Sequence, residues 1–184
     1  ATDPQERSAA ALALLLQRTS AKGDIDLREV GLVAVTIGPG SFTGLRVGVT
    51  TAKTLGYALG CDVLGVNTLE VVAQQAPSEV QSVWAVSDAQ RQQLFAACFE
   101  RERSQWRVAE PTQIIDVDAF LARLSPGEQI SGSGLLRIQD QLPSQAILPE
   151  KYWRPQAETV GRLALRKFND GARDDLWKLT PLYF

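Results

Sequence analysis

The segment Val30-Gly-Leu-Val-Ala-Val-Thr-Ile37 constrains the fold more than any other. It is a continuous apolar run rich in β-branched residues, and Gly38-Pro39-Gly40 ends it. Such a run without alternation is the pattern of a strand covered on both faces, as in a parallel sheet. A helical pattern follows at once, from Phe42 to Leu59, and Gly60 stops it. A second short buried strand reads over Asp62–Val66, and a short helix over Thr68–Gln75, capped by Asn67 or Thr68. Upstream, Asp3-Pro4 with Glu6 is a helix-start pattern for Asp3–Ala21, with Leu12, Leu15 and Leu16 at helical spacing. Helices alternate with buried strands, so this half is α/β.

Past Pro77-Ser78, which reads as a linker, the pattern changes. Strands are expected at Val80–Ser87, Gln93–Glu100 and Ser104–Ala109, with polar turns at Asp88–Arg91 and near Arg101–Arg103. A helix over about Val117–Leu124, a strand at Gln129–Ser131 before Gly132-Ser-Gly134, and a helix over Pro155–Asn169 complete this half. The expected division is residues 1–77 and 78–184. The element order of the first half resembles that of the second without its three leading strands. Leading strands are therefore expected before Ala1, outside the chain as given.

Composition excludes several chemistries. The 184 residues contain no His, which removes a His general base, Ser-His-Asp machinery and His-based metal sites. Cys61 and Cys98 stand alone, which excludes a cysteine-rich zinc site, and they read as two reduced thiols. Lys plus Arg is 19 and Asp plus Glu is 21, a net charge of −2, without the basic excess of a protein that grips nucleic acid by itself. No apolar run approaches the ~20 residues that span a bilayer, and the expected location is the cytoplasm. No carboxylate pair has general acid/base spacing, Asp116 and Asp118 read as helix caps, and Asp174-Asp175 as a solvated turn. The four tryptophans, Trp84, Trp106, Trp153 and Trp177, read as packing residues.

Two features carry functional content. Gly38, Gly40 and Ser41 turn the chain from strand into helix, and Arg46 lies one turn in. Helix N-termini of this kind can seat an anion, but the spacing is neither a P-loop nor GxGxxG, so an anion site and a well-capped structural turn both stay open. Within the helix, Gly44, Gly48, Ala52 and Gly56 recur every four residues. Interior glycines each cost up to ~1 kcal/mol relative to Ala, so close backbone approach by another helix is expected along this stripe. That helix would belong to Asp3–Ala21 or to a second subunit, and Gly48→Leu would then block docking.

Ile37-Gly-Pro-Gly-Ser-Phe-Thr-Gly-Leu-Arg-Val-Gly-Val49, Ala52-Lys53 and Val66-Asn-Thr-Leu69 resemble the bacterial TsaB (YeaZ) family. Asp88-Ala-Gln-Arg91 with Phe95, Gly132-Ser-Gly134 and Pro181-Leu-Tyr183 extend the resemblance over most of the chain. It implies a two-lobe α/β fold like the actin and Hsp70 ATPases (ASKHA), here with the first strands of the N-terminal lobe missing. It implies a non-catalytic subunit in the formation of threonylcarbamoyladenosine at position 37 of tRNA, with no cofactor of its own. The implied partners are the catalytic paralogue TsaD and the ATPase TsaE, with a homodimer when alone and tRNA met only through the complex. Carried onto this chain, the docking residues are Leu12, Leu15, Gly44, Leu45, Gly48, Ala52 and Gly56. Alternative readings are a stand-alone homodimer or a nucleotide-binding protein of the same fold. A glycoprotease has no nucleophile–base pair to use here.

Overall fold

The computed structural model describes residues 9–103 and 105–184. Helix α1 (Ala9–Lys22) leads through a short 3-10 turn to strand β1 (Leu32–Gly38), helix α2 (Phe42–Leu59), strand β2 (Asp62–Asn67) and helix α3 (Thr68–Gln74). The expected helix start at Asp3, Pro4 and Glu6 lies outside the described residues. A meander of β3 (Ser82–Gln90), β4 (Gln93–Glu102) and β5 (Gln105–Asp116) follows. Then come α4 (Val117–Arg123), β6 (Gln129–Ser131), the short α5 (Leu135–Ile138) and α6 (Ala157–Asn169).

β1 and β2 pair in parallel, from Leu32 opposite Asp62 to Thr36 opposite Val66. The β-branched run is covered on both faces, as its lack of alternation demands. Val33, Val35 and Ile37 meet Val49 and Ala52 of α2, while Leu32 and Ala34 meet Val160, Leu163 and Ala164 of α6. Leu32 to Ile37 are nevertheless only half-buried, because among the described residues β1 has a strand neighbour on one side only. α3 begins at Asn67, whose side-chain oxygen accepts from the backbone N–H groups of Leu69 (2.8 Å) and Glu70 (3.2 Å).

The second sheet has the order β5-β4-β3-β6, with β3 antiparallel to β4 and parallel to β6. Trp84, Val86, Leu94, Phe120, Ile130, Leu135 and Ile138 form one core on its α4 side. Leu69, Val72, Val83, Ala85, Ala97 and Phe99 form another against α3. Two sequence boundaries shift here. The β3–β4 turn is tighter than expected, with Asp88 and Ala89 inside β3 and positive φ at Gln90 (65°), Arg91 (45°) and Gln92 (61°). β5 runs on to Asp116 through Pro111, which an edge strand tolerates because one side of its backbone needs no partner.

The two sheets do not divide cleanly at residue 77. α6 packs on β1, β2 and α3, and Leu176 and Leu179 join the core between α2 and the first sheet. Asp174, expected in a solvated turn, accepts the Gly65 N–H of β2 at 2.7 Å. Asp175 accepts the Trp177 N–H at 2.8 Å. Residues 157–184 therefore complete the first layer from the far end of the chain. Asp116 stands at the N-cap position of α4 without a capping bond, its carboxylate taking the Gln93 amide at 3.0 Å instead. Cys61 is half-buried, Cys98 is buried, and both are free thiols.

Candidate functional site

The inward side of α2 is fixed by its sequence: Leu45, Val49, Ala52 and Gly56 are its buried residues. This corrects the expected reason for the small-residue stripe. A Cβ on Gly48 would stand 3.6 Å from Val35 Cγ2 of β1, an ordinary contact. A Cβ on Gly56 would overlap Val63 Cγ2 of β2 and approach Leu176 Cδ1 at 3.2 Å and Cys61 O at 3.3 Å. Among the described residues the stripe turns Gly48, Ala52 and Gly56 toward this chain's own sheet, and Gly56 also toward its C-terminal segment. Gly44 lies outside that contact, exposed beside Ser41. Of the expected docking residues, Leu45, Ala52 and Gly56 are thus buried within the chain, Gly48 faces β1, and Leu12 is half-buried. Leu15 is 41% exposed.

The turn before α2 is built as expected at its cap. Ser41 Oγ accepts the Gly44 N–H at 3.3 Å. Gly38 has φ of 126°, in the region that favours glycine, and a Cβ there would meet Leu182 O at 3.0 Å. The Leu182 N–H donates to Ile37 O at 2.7 Å, so the C-terminal residues lie directly over the end of β1. Arg46 donates from Nε to Tyr183 Oη at 3.2 Å, and its guanidinium sits 4.2 Å from the Phe42 ring centre. The Phe42 and Tyr183 rings are 5.4 Å apart. Gly40 borders open space. The cation expected beside an anion seat is held by aromatic neighbours, which favours the structural-turn reading of Gly38, Gly40, Ser41 and Arg46.

The outward surface is where the unpartnered groups collect. Leu14, Leu15 and Leu16 of α1 are 54%, 41% and 37% exposed, and among the described residues α1 touches other elements only marginally. At the far end of α2, Tyr57 and Trp177 meet edge to face with ring centres 5.8 Å apart, yet they remain 71% and 73% exposed. Lys53 Nζ holds Trp177 in place by donating to the carbonyls of Trp177 and Leu179, each at 3.1 Å. Trp177 is thus no core residue, whereas Trp84 and Trp153 are buried and Trp106 packs under Arg101. Reading the sequence missed Tyr57, Trp177 and Tyr183. The available signal was the aromatic density of the tail, Trp177 to Phe184, beside the outward positions of α2.

Elsewhere, Ser133 of the Gly132-Ser-Gly134 turn brings its hydroxyl to 3.3 Å from Ser87 Oγ, while Arg137 pairs with Asp88 at 3.1 Å. Gly132, with φ of 121°, lies so close to β3 that a Cβ would overlap the Val86 carbonyl oxygen. Among the described residues no group of three or more His, Cys, Asp or Glu is placed to hold a metal ion, and no helix is long and apolar enough to cross a membrane. Burial pushes the Cys98 thiol above its ordinary range, and its neighbour is the Ser82 hydroxyl at 3.7 Å.

Comparison with known proteins places this arrangement. Residues 4–149 match the family model described as TsaD, tRNA N6-adenosine threonylcarbamoyltransferase. The chain is 28% identical over 165 residues to the tRNA threonylcarbamoyladenosine biosynthesis protein TsaB of Escherichia coli, covering 85% of this chain and 71% of that protein. It is 29% identical over 101 residues to the TsaB of Bacillus subtilis, covering 55% of this chain and 44% of that protein. It spans less than half the length of the first curated relatives it matches. The solved structure of YeaZ from Pseudomonas aeruginosa superposes with a TM-score of 0.79 at 23% identity, over 96% of this chain and 84% of that one. That likeness shows the fold, and together with the family match it fits the α/β actin-like (ASKHA) fold. The chain belongs to the TsaB/YeaZ family, within the wider group that the TsaD family model describes.

Proposed function

We propose that this chain serves the formation of threonylcarbamoyladenosine in tRNA as a non-catalytic subunit that docks on a TsaD-type catalytic paralogue. The observation that carries the reading is the outward surface of α1: three successive leucines, Leu14 to Leu16, exposed on a helix that among the described residues touches other elements only marginally. Covering the exposed remainder of each of these half-covered leucines gains roughly 1 kcal/mol, which is the driving force of a docking surface. The names of the E. coli and B. subtilis relatives support the pathway. The lack of His supports an accessory role, because the chain supplies no imidazole for a metal site or a general base. A TsaE-type ATPase would join the assembly, and self-association through the same surface would be the weaker state of the isolated chain.

The docking residues differ from those the glycine stripe suggests. Leu15 remains among them. Leu45, Gly48, Ala52 and Gly56 act indirectly, by seating α2 on its own sheet so that the opposite side faces outward. Depletion of the chain in its host, followed by nucleoside analysis of digested tRNA, is expected to remove threonylcarbamoyladenosine. Leu15→Asp is expected to abolish co-purification with the catalytic paralogue while leaving the melting temperature unchanged. Undiminished modified nucleoside after depletion contradicts the reading.

A further inference from the structure

The second layer holds a cleft built without any residue of α1, α2 or the C-terminal tail. It lies beside β6, the edge strand of the four-stranded sheet. Its volume is about 480 Å³, within the roughly 300–1,000 Å³ of small-molecule sites. Ile130 of β6 lines it, with Leu121 and Leu124 from the end of α4 and Leu142 and Ala146 from the segment that follows α5. Leu121, Leu124, Leu142 and Ala146 pack on the core around Trp84 and Phe120 but stay only partly buried, because the cleft leaves part of each uncovered. The segment that carries Leu142 and Ala146 is tied to the edge of β6. Ile147 bridges to Ile130, the Leu148 N–H donates to the Ile130 carbonyl at 2.9 Å, and the Gln129 side-chain amide donates to the Gln145 carbonyl at 2.9 Å.

The charge of the cleft is a single carboxylate. Glu128 is the one ionisable residue that lines it, and the polar remainder are a serine and glutamines. Glu128 is half-buried. Its Oε1 accepts the Trp84 indole N–H at 3.0 Å, and its Oε2 accepts the Ser125 backbone N–H at 2.6 Å. These two donors fix the carboxylate without neutralising it. Arg123, stacked over the Trp84 ring at 4.6 Å, gives its hydrogen bonds to Glu110 at 2.6 Å. Among the described residues no Lys or Arg pairs with Glu128. An ionised carboxylate has about four acceptor sites, so two remain open here. A charge beside apolar surface is costly until it is paired. Phosphate, a nucleotide or an RNA backbone would find no cation in the cleft and would be repelled. We propose that the cleft binds a small organic cation, a primary amine on an aliphatic or aromatic body. The ammonium donates to Glu128, and the apolar body covers Leu121, Ile130 and Leu142. This site stands apart from the subunit reading and does not depend on it.

The test uses cyclohexylmethylamine, cyclohexylmethanol and cyclohexanecarboxylate, similar bodies with three different charges. Each is titrated into the chain and followed by NMR of its Ile and Leu methyl groups and tryptophan indoles. The amine is expected to bind with a dissociation constant of about 1 mM or tighter and to shift the methyl signals of Leu121, Leu124, Ile130 and Leu142. The Trp84 indole signal is expected to move with them, because its acceptor is engaged, while those of Trp106, Trp153 and Trp177 stay in place. The alcohol is expected to bind at least about fivefold more weakly, and the carboxylate more weakly still, because a charge-assisted hydrogen bond is lost and then reversed in sign. Ala146→Phe, which fills the cleft, is expected to abolish the shifts, and Glu128→Gln to erase the advantage of the amine over the alcohol. Amine and carboxylate binding alike overturns the assignment of charge. No methyl shift with amine up to about 20 mM overturns the site. Where a variant does not melt as the unaltered chain does, the series of three compounds on the unaltered chain decides alone.

Discussion

The two sheets of this molecule are built by different strategies. The four-stranded sheet is assembled mostly from consecutive strands, and its core residues Val83, Leu94, Phe120, Leu135 and Ile138 are fully covered. The two-stranded sheet is assembled from distant pieces: α2 on one face, α6 on the other, and the tail closing the core through Leu176 and Leu179. Its strand β1 stays half-buried from Leu32 to Ile37. The layer that takes its packing from the far end of the chain is also the layer that presents the exposed leucines and aromatics. Leu176 and Leu179 close its inward core, and Trp177 and Tyr183 of the same segment lie on its outward surface.

The sharpest way to separate the layers is one substitution made in each. Gly132→Ala forces a Cβ onto the Val86 backbone at a φ that side chains rarely adopt, and is expected to cost about 4 kcal/mol in urea unfolding. Gly48→Ala meets only Val35 at an ordinary distance and replaces an interior helix glycine, so it is expected to be neutral or stabilising by up to about 1 kcal/mol. Equal effects would erase the distinction. Leu179→Ala removes a buried side chain that the tail contributes, and is expected to cost about 2–3 kcal/mol. Hydrogen exchange should then quicken in β1 and β2 while β3 and β4 keep their protection. Gly48→Leu is expected to cost only about 1–2 kcal/mol, by pressing on Val35, rather than to block docking directly.

The smallest expected effect lies in the thiols. Cys61, half-buried, is expected to react with a thiol reagent before Cys98, which burial protects. Burial raises the Cys98 value above that of the unfolded chain, so its contribution to stability is full below the ordinary thiol range and declines as pH rises through and beyond it. A shallow fall in stability at alkaline pH, absent in Cys98→Ala, is the measurable sign. Faster labelling of Cys98 would contradict the burial.

What the sequence carried and what it did not divide along the same line. Local patterns were legible: the β-branched run, the glycine turn, the Ser41 and Asn67 caps and the meander. Long-range returns were not. Nothing in the spacing of α6 says that Val160, Leu163 and Ala164 pack on Leu32 and Ala34 rather than on the nearer sheet. A period of four in small residues calls for close approach but does not name the neighbour, and here the neighbours are Val35, Val63 and Leu176 instead of a helix. Trp177 reads as a core residue by type, and its exposure follows from Lys53 holding its carbonyl while Asp175 holds its N–H. The small-residue stripe thus marks the side of α2 that the chain covers itself.

Hydroxyl-radical footprinting of this chain, alone and with the TsaD-type paralogue, tests the central claim most directly. Leu14, Leu15 and Leu16 are expected to lose most of their reactivity in the complex, while the already buried Trp84 and Trp153 stay unchanged. A complex in which Leu14, Leu15 and Leu16 react as freely as in the isolated chain would contradict the claim that the outward surface of α1 is the docking surface.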